Sequence, residues 1–442
     1  MLPDPEDVSR FSGWQPATEA GRYLKHGISS TQAAPYHPAH SRTRFLMQPL
    51  TARIAAVLLI IALLLAQSAA ARTIRIGIDA EFGIPGSTSA QAVHHGARVA
   101  VNEINAAGGV LGRQLEIVLR DNRGVPARAG NNLRELAADP DVVAVLCGKY
   151  SPVVVELLPE IHRLKIPFLD PWAAADPITE HGYSPDYVFR LSLRDTWAIE
   201  SMMRHAAGRG LRKVALLLPN SEWGRSNLRA AQRHVARTSG QHVVAYDWYN
   251  FGDRNLSLQY GNLRAAGAQA LVLVANEQEA VVLVNELAGL PKHQRLPIMA
   301  HWGVTAGRFF ELTREALRDV DLTFVQTYSF LDRTDAPARK LLAGLKPLTG
   351  SDAAREVVSP VGVAHAYDLV HLLARAIGRA GSSERAAVRA ALENLPPYQG
   401  VTRRFSRPFA PGRHDALGRE NVFMARFAAD GAIEPLPGAR RP

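Results

Sequence analysis

Cysteine is almost absent: Cys147 is the single thiol in 442 residues. A lone thiol excludes an intramolecular disulfide framework and a cysteine-based zinc site. It closes the apolar run Val142-Val143-Ala144-Val145-Leu146 and reads as a small buried hydrophobe rather than a nucleophile. Membrane-spanning length is also missing from the uninterrupted apolar run Ile54 to Ala66, whose 13 residues fall short of the ~20 that cross a bilayer. No G-x-S-x-G elbow, H-E-x-x-H zinc helix, C-x-x-C pair or G-x-x-x-x-G-K phosphate loop occurs, so the motif-bearing hydrolases, metalloproteases, dithiol oxidoreductases and P-loop enzymes have no support. The 15 histidines are mostly isolated, and the adjacent His94 and His95 point to different helix faces. No catalytic residue, cofactor or metal site is expected.

The formal charge is +10; residues 1–71 hold six Lys/Arg and four Asp/Glu, which leaves 45 against 37 in the rest. The arginines are scattered over helix faces, as at Arg128, Arg134, Arg229 and Arg233. Without a clustered stripe or a basic run interleaved with aromatics, no nucleic-acid partner is expected. An apolar fraction of 47% suits a globular protein with a sizeable core, and the length accommodates two or three domains.

The Ile54–Ala66 run has the length of a signal-peptide core, with Arg53 as its positive flank and Ser68-Ala69-Ala70-Ala71 as a small-residue cleavage site. Residues 47–71 are read as a signal peptide cleaved near Ala71, and the chain as exported. Residues 1–46, rich in Pro, His and Ser and without periodicity, are read as an upstream leader without regular structure, translation beginning at Met47. The alternative is a cytosolic tail on a membrane anchor.

From Arg72 onward apolar strands alternate with amphipathic helices. Thr73–Asp79 predicts a strand and Ser89–Ala107 a helix, stopped by Gly108-Gly109. Because Gly108-Gly109-Val110-Leu111-Gly112 follows a helix, it reads as a turn and not as a dinucleotide loop. Strands at 115–119, 142–146 and 166–169 alternate with helices at 127–138 and 153–164. A second series follows: helices at 197–208, 223–239, 256–266 and 277–290 and strands at 214–218, 242–249, 270–274 and 297–300. Beyond Thr327 helices are expected at 338–345, 361–380 and 384–394, and a last strand at 421–427. Short strands with helical crossovers define an α/β protein built from two doubly wound parallel-sheet lobes, and such sheets bind ligands beyond the carboxyl ends of their strands.

The run Asn102-Glu103-Ile104-Asn105-Ala106-Ala107-Gly108-Gly109-Val110-Leu111-Gly112-Arg113 resembles the type I periplasmic binding proteins, specifically the Leu/Ile/Val-type (branched-chain amino-acid) receptors of ABC importers. Leu115–Asp121, Lys165-Ile166-Pro167-Phe168-Leu169, Tyr187-Val188-Phe189-Arg190 and Asn220-Ser221-Glu222-Trp223-Gly224 continue the likeness, which spans residues 73–430. The resemblance implies two lobes joined by three crossings, placed near Leu193, Gln326 and Glu420, with the ligand clasped between them. Lobe one is then 72–193 plus 327–420 and lobe two 194–326 plus 421–442.

Ligand contacts carry over where positions match. Ser151 stands where these receptors bind the ligand carboxylate at a helix N-terminus; its other role is to cap that helix ahead of Pro152. Lys149 and Tyr150 precede it; Tyr150 is expected to wall one cleft with Trp172, Trp223 and Trp302, which suits a flat or apolar ligand, and Lys149 is read as more often a solvated side chain than a ligand contact. The next loop, with Trp172, Ala173 and Ala174, lacks the family's hydroxyl. Trp223 matches a cleft aromatic, or packs in the core. Trp302 stands where an acidic residue receives the ammonium of an amino acid, and Asn276-Glu277 follow the preceding strand, so that Glu277 is the substitute acid if the cleft is rearranged. The resulting expectation is a monomeric, non-enzymatic periplasmic receptor for a small carboxylate-bearing molecule, an amino acid or an aromatic acid, with an ABC-importer permease as partner. The alternative is a ligand sensor of the same fold feeding a signalling receptor or regulator.

Overall fold

The computed structural model describes residues 73–331 and 333–437. The expected leader and signal peptide lie outside the described residues, and among the described residues no helix is long and apolar enough to cross a membrane.

Five strands build the first sheet: β1 (Ile74–Ala80), β2 (Leu115–Asp121), β3 (Val142–Cys147), β4 (Phe168–Asp170) and β5 (Val188–Arg190). All pair in parallel, in the order β2-β1-β3-β4-β5. Burial explains their composition. Every residue of the interior strand β3 is buried, which favours a continuous Val/Leu run, whereas the edge strand β2 is buried only in part and carries charges. Helices α1 (Ser89–Ala106), α2 (Pro126–Ala138) and α3 (Ser151–Leu164) are the crossovers. The turn after α1 requires glycine: Gly109 has φ +79°, and a Cβ there would stand 2.1 Å from the Arg113 carbonyl oxygen.

The chain then enters a second sheet through α4 (Asp195–Gly208). Strands β6 (Lys213–Pro219), β7 (His242–Tyr249), β8 (Ala270–Leu273), β9 (Ile298–Ala300) and β10 (Leu322–Gln326) alternate with α5 (Glu222–Arg237), α6 (Ser257–Ala265), α7 (Glu277–Ala288) and the short α8 (Phe309–Thr313). These five strands are parallel. After β10 the chain returns to the first lobe as α9 (Ala336–Thr349), α10 (Pro360–Ala380) and α11 (Arg385–Leu392). Gly96 lets α1 and α10 approach closely, since a Cβ there would stand 2.0 Å from the Val363 carbonyl oxygen. Arg385 donates to the carbonyls of Ala137, Asp139 and Val142, fastening α11 beside β3.

A two-stranded hairpin, β11 (Tyr398–Gln399) with β12 (Arg404–Phe405), precedes the last crossing. Then β13 (Phe423–Phe427) pairs with β10, and β14 (Ile433–Pro435) with β13. Both pairings are antiparallel, so the second sheet, β14-β13-β10-β9-β8-β6-β7, is mixed at one edge rather than wholly parallel as expected. The reason is topological: β13 arrives from the other lobe without a crossover helix. The strand expected from residue 421 begins at Phe423, because Arg419–Asn421 forms a 3-10 turn.

Candidate functional site

Residues just beyond the carboxyl ends of strands from both sheets meet one another. At one margin Lys149, after β3, reaches Glu277, the first residue of α7. Its ammonium lies 2.8 and 2.6 Å from the two carboxylate oxygens and 3.1 Å from Ser87 Oγ. All three donors of the ammonium are therefore satisfied. Both side chains are at least 95% buried, which overturns the expectation of a solvated Lys149. Burial raises the Glu277 carboxyl while Lys149 pulls it back. Glu81, after β1, accepts from the Ser89 hydroxyl and, at 3.3 Å, from the Lys149 amide. The Thr88 amide bonds the Ala306 carbonyl at 2.8 Å, and Tyr150 meets Phe251 edge to face with centroids 5.9 Å apart. The margin is thus a seam of polar contacts between the lobes.

The loop after β4 is shaped by its own hydrogen bonds. Asp170 accepts from the amides of Trp172 at 2.9 Å and Ala173 at 2.7 Å, and Ser151 Oγ accepts from those of Ala174 at 3.0 Å and Ala175 at 3.2 Å. Ser151 therefore stands at the start of α3 beneath two inward-turned amides, while the Ala173 amide is committed to Asp170. Burial pushes the Asp170 carboxyl up to about 7, against the pull of Arg190 and the loop amides. Arg190, fully buried, donates to the Ala175 carbonyl at 2.8 Å and to Asp415 at 2.6 Å, which fixes the far end of the loop.

Toward the chain crossings the contact between the lobes is aromatic. Trp172 and Trp302 are each 1% exposed, with ring centroids 5.8 Å apart. Trp172 lies over Gly362, where a Cβ would come within 2.6 Å of the ring. His365 stands 6.0 Å from Trp302, donates Nδ1–H to the Pro171 carbonyl at 2.8 Å and accepts from Thr327 Oγ1 at 3.1 Å. Burial pushes its pKa down to about 4. Trp223 donates its indole N–H to Asp195 at 3.1 Å and packs edge-on to His301 at 5.0 Å; His301 reaches the same carboxylate at 3.1 Å. Asn276 precedes α7 and backs Gly303, where a Cβ would lie 2.8 Å from its Oδ1.

The structure thus brings Ser151 to Ala174, Trp172 to Trp302, and Glu277 to Lys149. Sequence reasoning missed Glu81, Ser87, Asp195 and His365. Glu81, Ser87 and Asp195 follow a strand by one to seven residues and His365 lies within α10, yet nothing in the linear pattern separates them from ordinary polar residues.

Two lobes with their strand ends facing across a shared lining define a clamshell solute receptor. The chain belongs to the periplasmic binding protein family, whose model matches residues 73–432. It is 24% identical over 335 residues to the "Leucine-, isoleucine-, valine-, threonine-, and alanine-binding protein" of Pseudomonas aeruginosa, covering 74% of this chain and 83% of that one. A branched-chain amino acid transporter substrate binding protein from Streptococcus pneumoniae, solved with isoleucine, superposes with a TM-score of 0.69 at 24% identity, covering 83% and 99% of the two chains. A solute binding protein of an ABC transporter from R. palustris, solved with 4-hydroxybenzoate, gives 0.68 at 18%, covering 84% and 98%. The family is one of non-enzymatic solute-binding proteins, and membership implies an exported, periplasmic chain.

Proposed function

We propose that this chain is the solute receptor of an ABC importer and that its ligand is a carboxylate without an ammonium group, an aromatic acid being the best fit. The observation that carries this reading is the Lys149–Glu277 pair: the acid that would receive an amino acid's ammonium already holds an ammonium from the protein. A second buried cation beside Lys149 would meet like charge in a poorly solvated place. Ser151 is the carboxylate's partner, at the positive end of α3: its Oγ already accepts from the Ala174 and Ala175 amides, which leaves its hydroxyl hydrogen to donate. Trp172 and Trp302 supply flat apolar walls, with Trp223 behind them. Tyr150, Ala173 and Asn276 shape the lining rather than touch the ligand. Closure pivots at crossings near Leu193, Gln326 and Glu420, between lobes 72–193 plus 327–420 and 194–326 plus 421–442. The chain acts as a monomer in the periplasm, freed by cleavage near Ala71, and hands its ligand to a membrane permease.

The test is thermal unfolding of the purified protein against benzoate, 4-hydroxybenzoate, leucine, isoleucine and valine. A true ligand at ~100 times its Kd adds ~2.7 kcal/mol of stability. Stabilisation by the aromatic acids alone is the expected result. Stabilisation by leucine or valine alone would sink it and make Glu277 the ammonium's acceptor.

A further inference from the structure

Away from the cleft, three histidines converge on one carboxylate. His162 in the last turn of α3, His181 on the segment before β5 and His414 near the last crossing surround Asp186. Ser151 opens the same helix eleven residues earlier, so His162 lies about 16 Å along the axis from it.

The hydrogen bonding fixes which ring atoms are free. His162 Nδ1 lies 2.7 Å from the Leu158 carbonyl oxygen, which only accepts, so Nδ1 carries the hydrogen and the neutral ring's lone pair is on Nε2. The Tyr187 amide donates weakly to that Nε2, at 3.3 Å. Yet Nε2 also faces Asp186 Oδ1 at 3.3 Å, an acceptor against an acceptor. His181 Nε2 stands 3.4 Å from the same oxygen and has no hydrogen-bond partner although its side chain is 92% buried. Its Nδ1 has one weak neighbour, the Tyr183 amide at 3.3 Å, so in the neutral ring without an ion the hydrogen sits on Nε2, aimed at Asp186. Giving up that one contact moves the hydrogen to Nδ1 and turns a second lone pair toward the carboxylate, with a cation between them.

We propose that His162 Nε2, His181 Nε2 and Asp186 Oδ1 form a binding site for a divalent transition-metal ion of zinc type. The three ligating atoms lie within 4.8 Å of one another. The two distances to Asp186, 3.3 and 3.4 Å, match the ~3.3 Å edge of a tetrahedron with 2.0–2.1 Å metal–ligand arms. Two imidazoles and a carboxylate suit zinc, with water as the fourth ligand. Outer contacts hold the set in place, as metal sites require. Tyr183 stacks on His162 at 4.2 Å, Val188 N–H donates to Asp186 Oδ1 at 2.8 Å, and His414 Nδ1 lies 2.9 Å from Asp186 Oδ2 while its Nε2 reaches Glu393. The ion would displace the long Tyr187 contact and tie the 181–186 segment to α3.

The test uses chelator-treated full-length protein without a polyhistidine tag, titrated with Zn²⁺ by calorimetry and with Co²⁺ by visible absorption. One equivalent of Zn²⁺, a rise in the unfolding midpoint and a tetrahedral Co²⁺ spectrum are expected. His181→Gln should weaken Zn²⁺ binding by roughly tenfold or more and remove the Zn²⁺-induced rise in unfolding midpoint, measured against that variant's own metal-free midpoint because the ring also packs on His162 and Tyr183. Absence of stoichiometric binding, or Zn²⁺ affinity untouched by both His181→Gln and His162→Gln, would overturn the proposal.

Discussion

Two buried ion pairs in this molecule have similar chemistry and different placements. Arg190 and Asp415 lie within one lobe: the guanidinium, fully buried, also binds the Ala175 carbonyl and Thr179 Oγ1, and Arg194 backs the carboxylate at 3.6 Å. Lys149 and Glu277 come from the strand ends of different sheets and meet only while the lobes touch. Desolvating charges is costly wherever it happens. In the first case the cost is met once, by folding, and each guanidinium nitrogen has a partner. On the closure proposed above, in the second it is met each time the lobes close, so the same ion pair becomes a condition of closure. Position relative to a hinge, rather than burial, decides whether an ion pair is scaffold or latch.

The largest effect should come from breaking the scaffold pair. Arg190→Met leaves Asp415 buried with only the Thr179 hydroxyl and the more distant Arg194 beside it and releases the Ala175 carbonyl, so a loss of about 3–5 kcal/mol is expected. Arg190→Met with Asp415→Leu should recover much of it, since no charge is then stranded. Denaturation midpoints of the single and double variants check this. A single variant as stable as the parent would make Arg190 dispensable to the loop.

The next effect concerns the junction between the two regions, where His365 holds Pro171 from one side and Thr327 from the other. Burial holds its pKa down at about 4 in the folded chain, against an ordinary 6.5. Between those values the unfolded chain binds a proton that the folded chain refuses, so stability is lost as pH falls from 6.5 to 4. A shift of that size corresponds to about 3 kcal/mol. Asp170 and Asp79, both raised by burial to about 7, act in the opposite sense: they favour the fold below the unfolded carboxyl's pKa and cost stability as pH rises through 7. The His365 share is therefore read as the difference between parent and His365→Asn across pH 4 to 6.5. Parallel curves would show that His365 is not buried neutral.

Much of this was legible beforehand. Periodicity located most strands and crossover helices of both sheets because each buries a regular apolar face, as β3 and α1 do, but it gave no strand at β5 or β10 and no helix at α8. Elements of two or three residues, β11, β12 and β14, carry too little pattern to read. The site was legible only by position. Ser151 and Trp302 could be placed after their strands, but that Lys149 turns inward depends on Glu277, 128 residues away, and on lobe closure. The convergence of His162, His181 and His414 on Asp186 likewise exists only after folding.

The smallest effect on stability, and the sharpest on function, belongs to the latch. Lys149→Met strands Glu277 only while the lobes are together; parting returns it to water. The stability lost should therefore stop at about 1–3 kcal/mol, the cost of one unsatisfied buried group, below that of Arg190→Met. The radius of gyration in solution scattering should rise as the open form gains population. With its internal ammonium gone, Glu277 becomes available to a ligand's ammonium. Lys149→Met should therefore gain stabilisation by leucine that the parent lacks, and Glu277→Gln added to it should remove that gain. If the parent binds leucine and Lys149→Met abolishes it, Lys149 is a ligand contact and not a substitute for one. In that case the comparison inverts: the cleft pair would be the part of the site that the ligand uses directly.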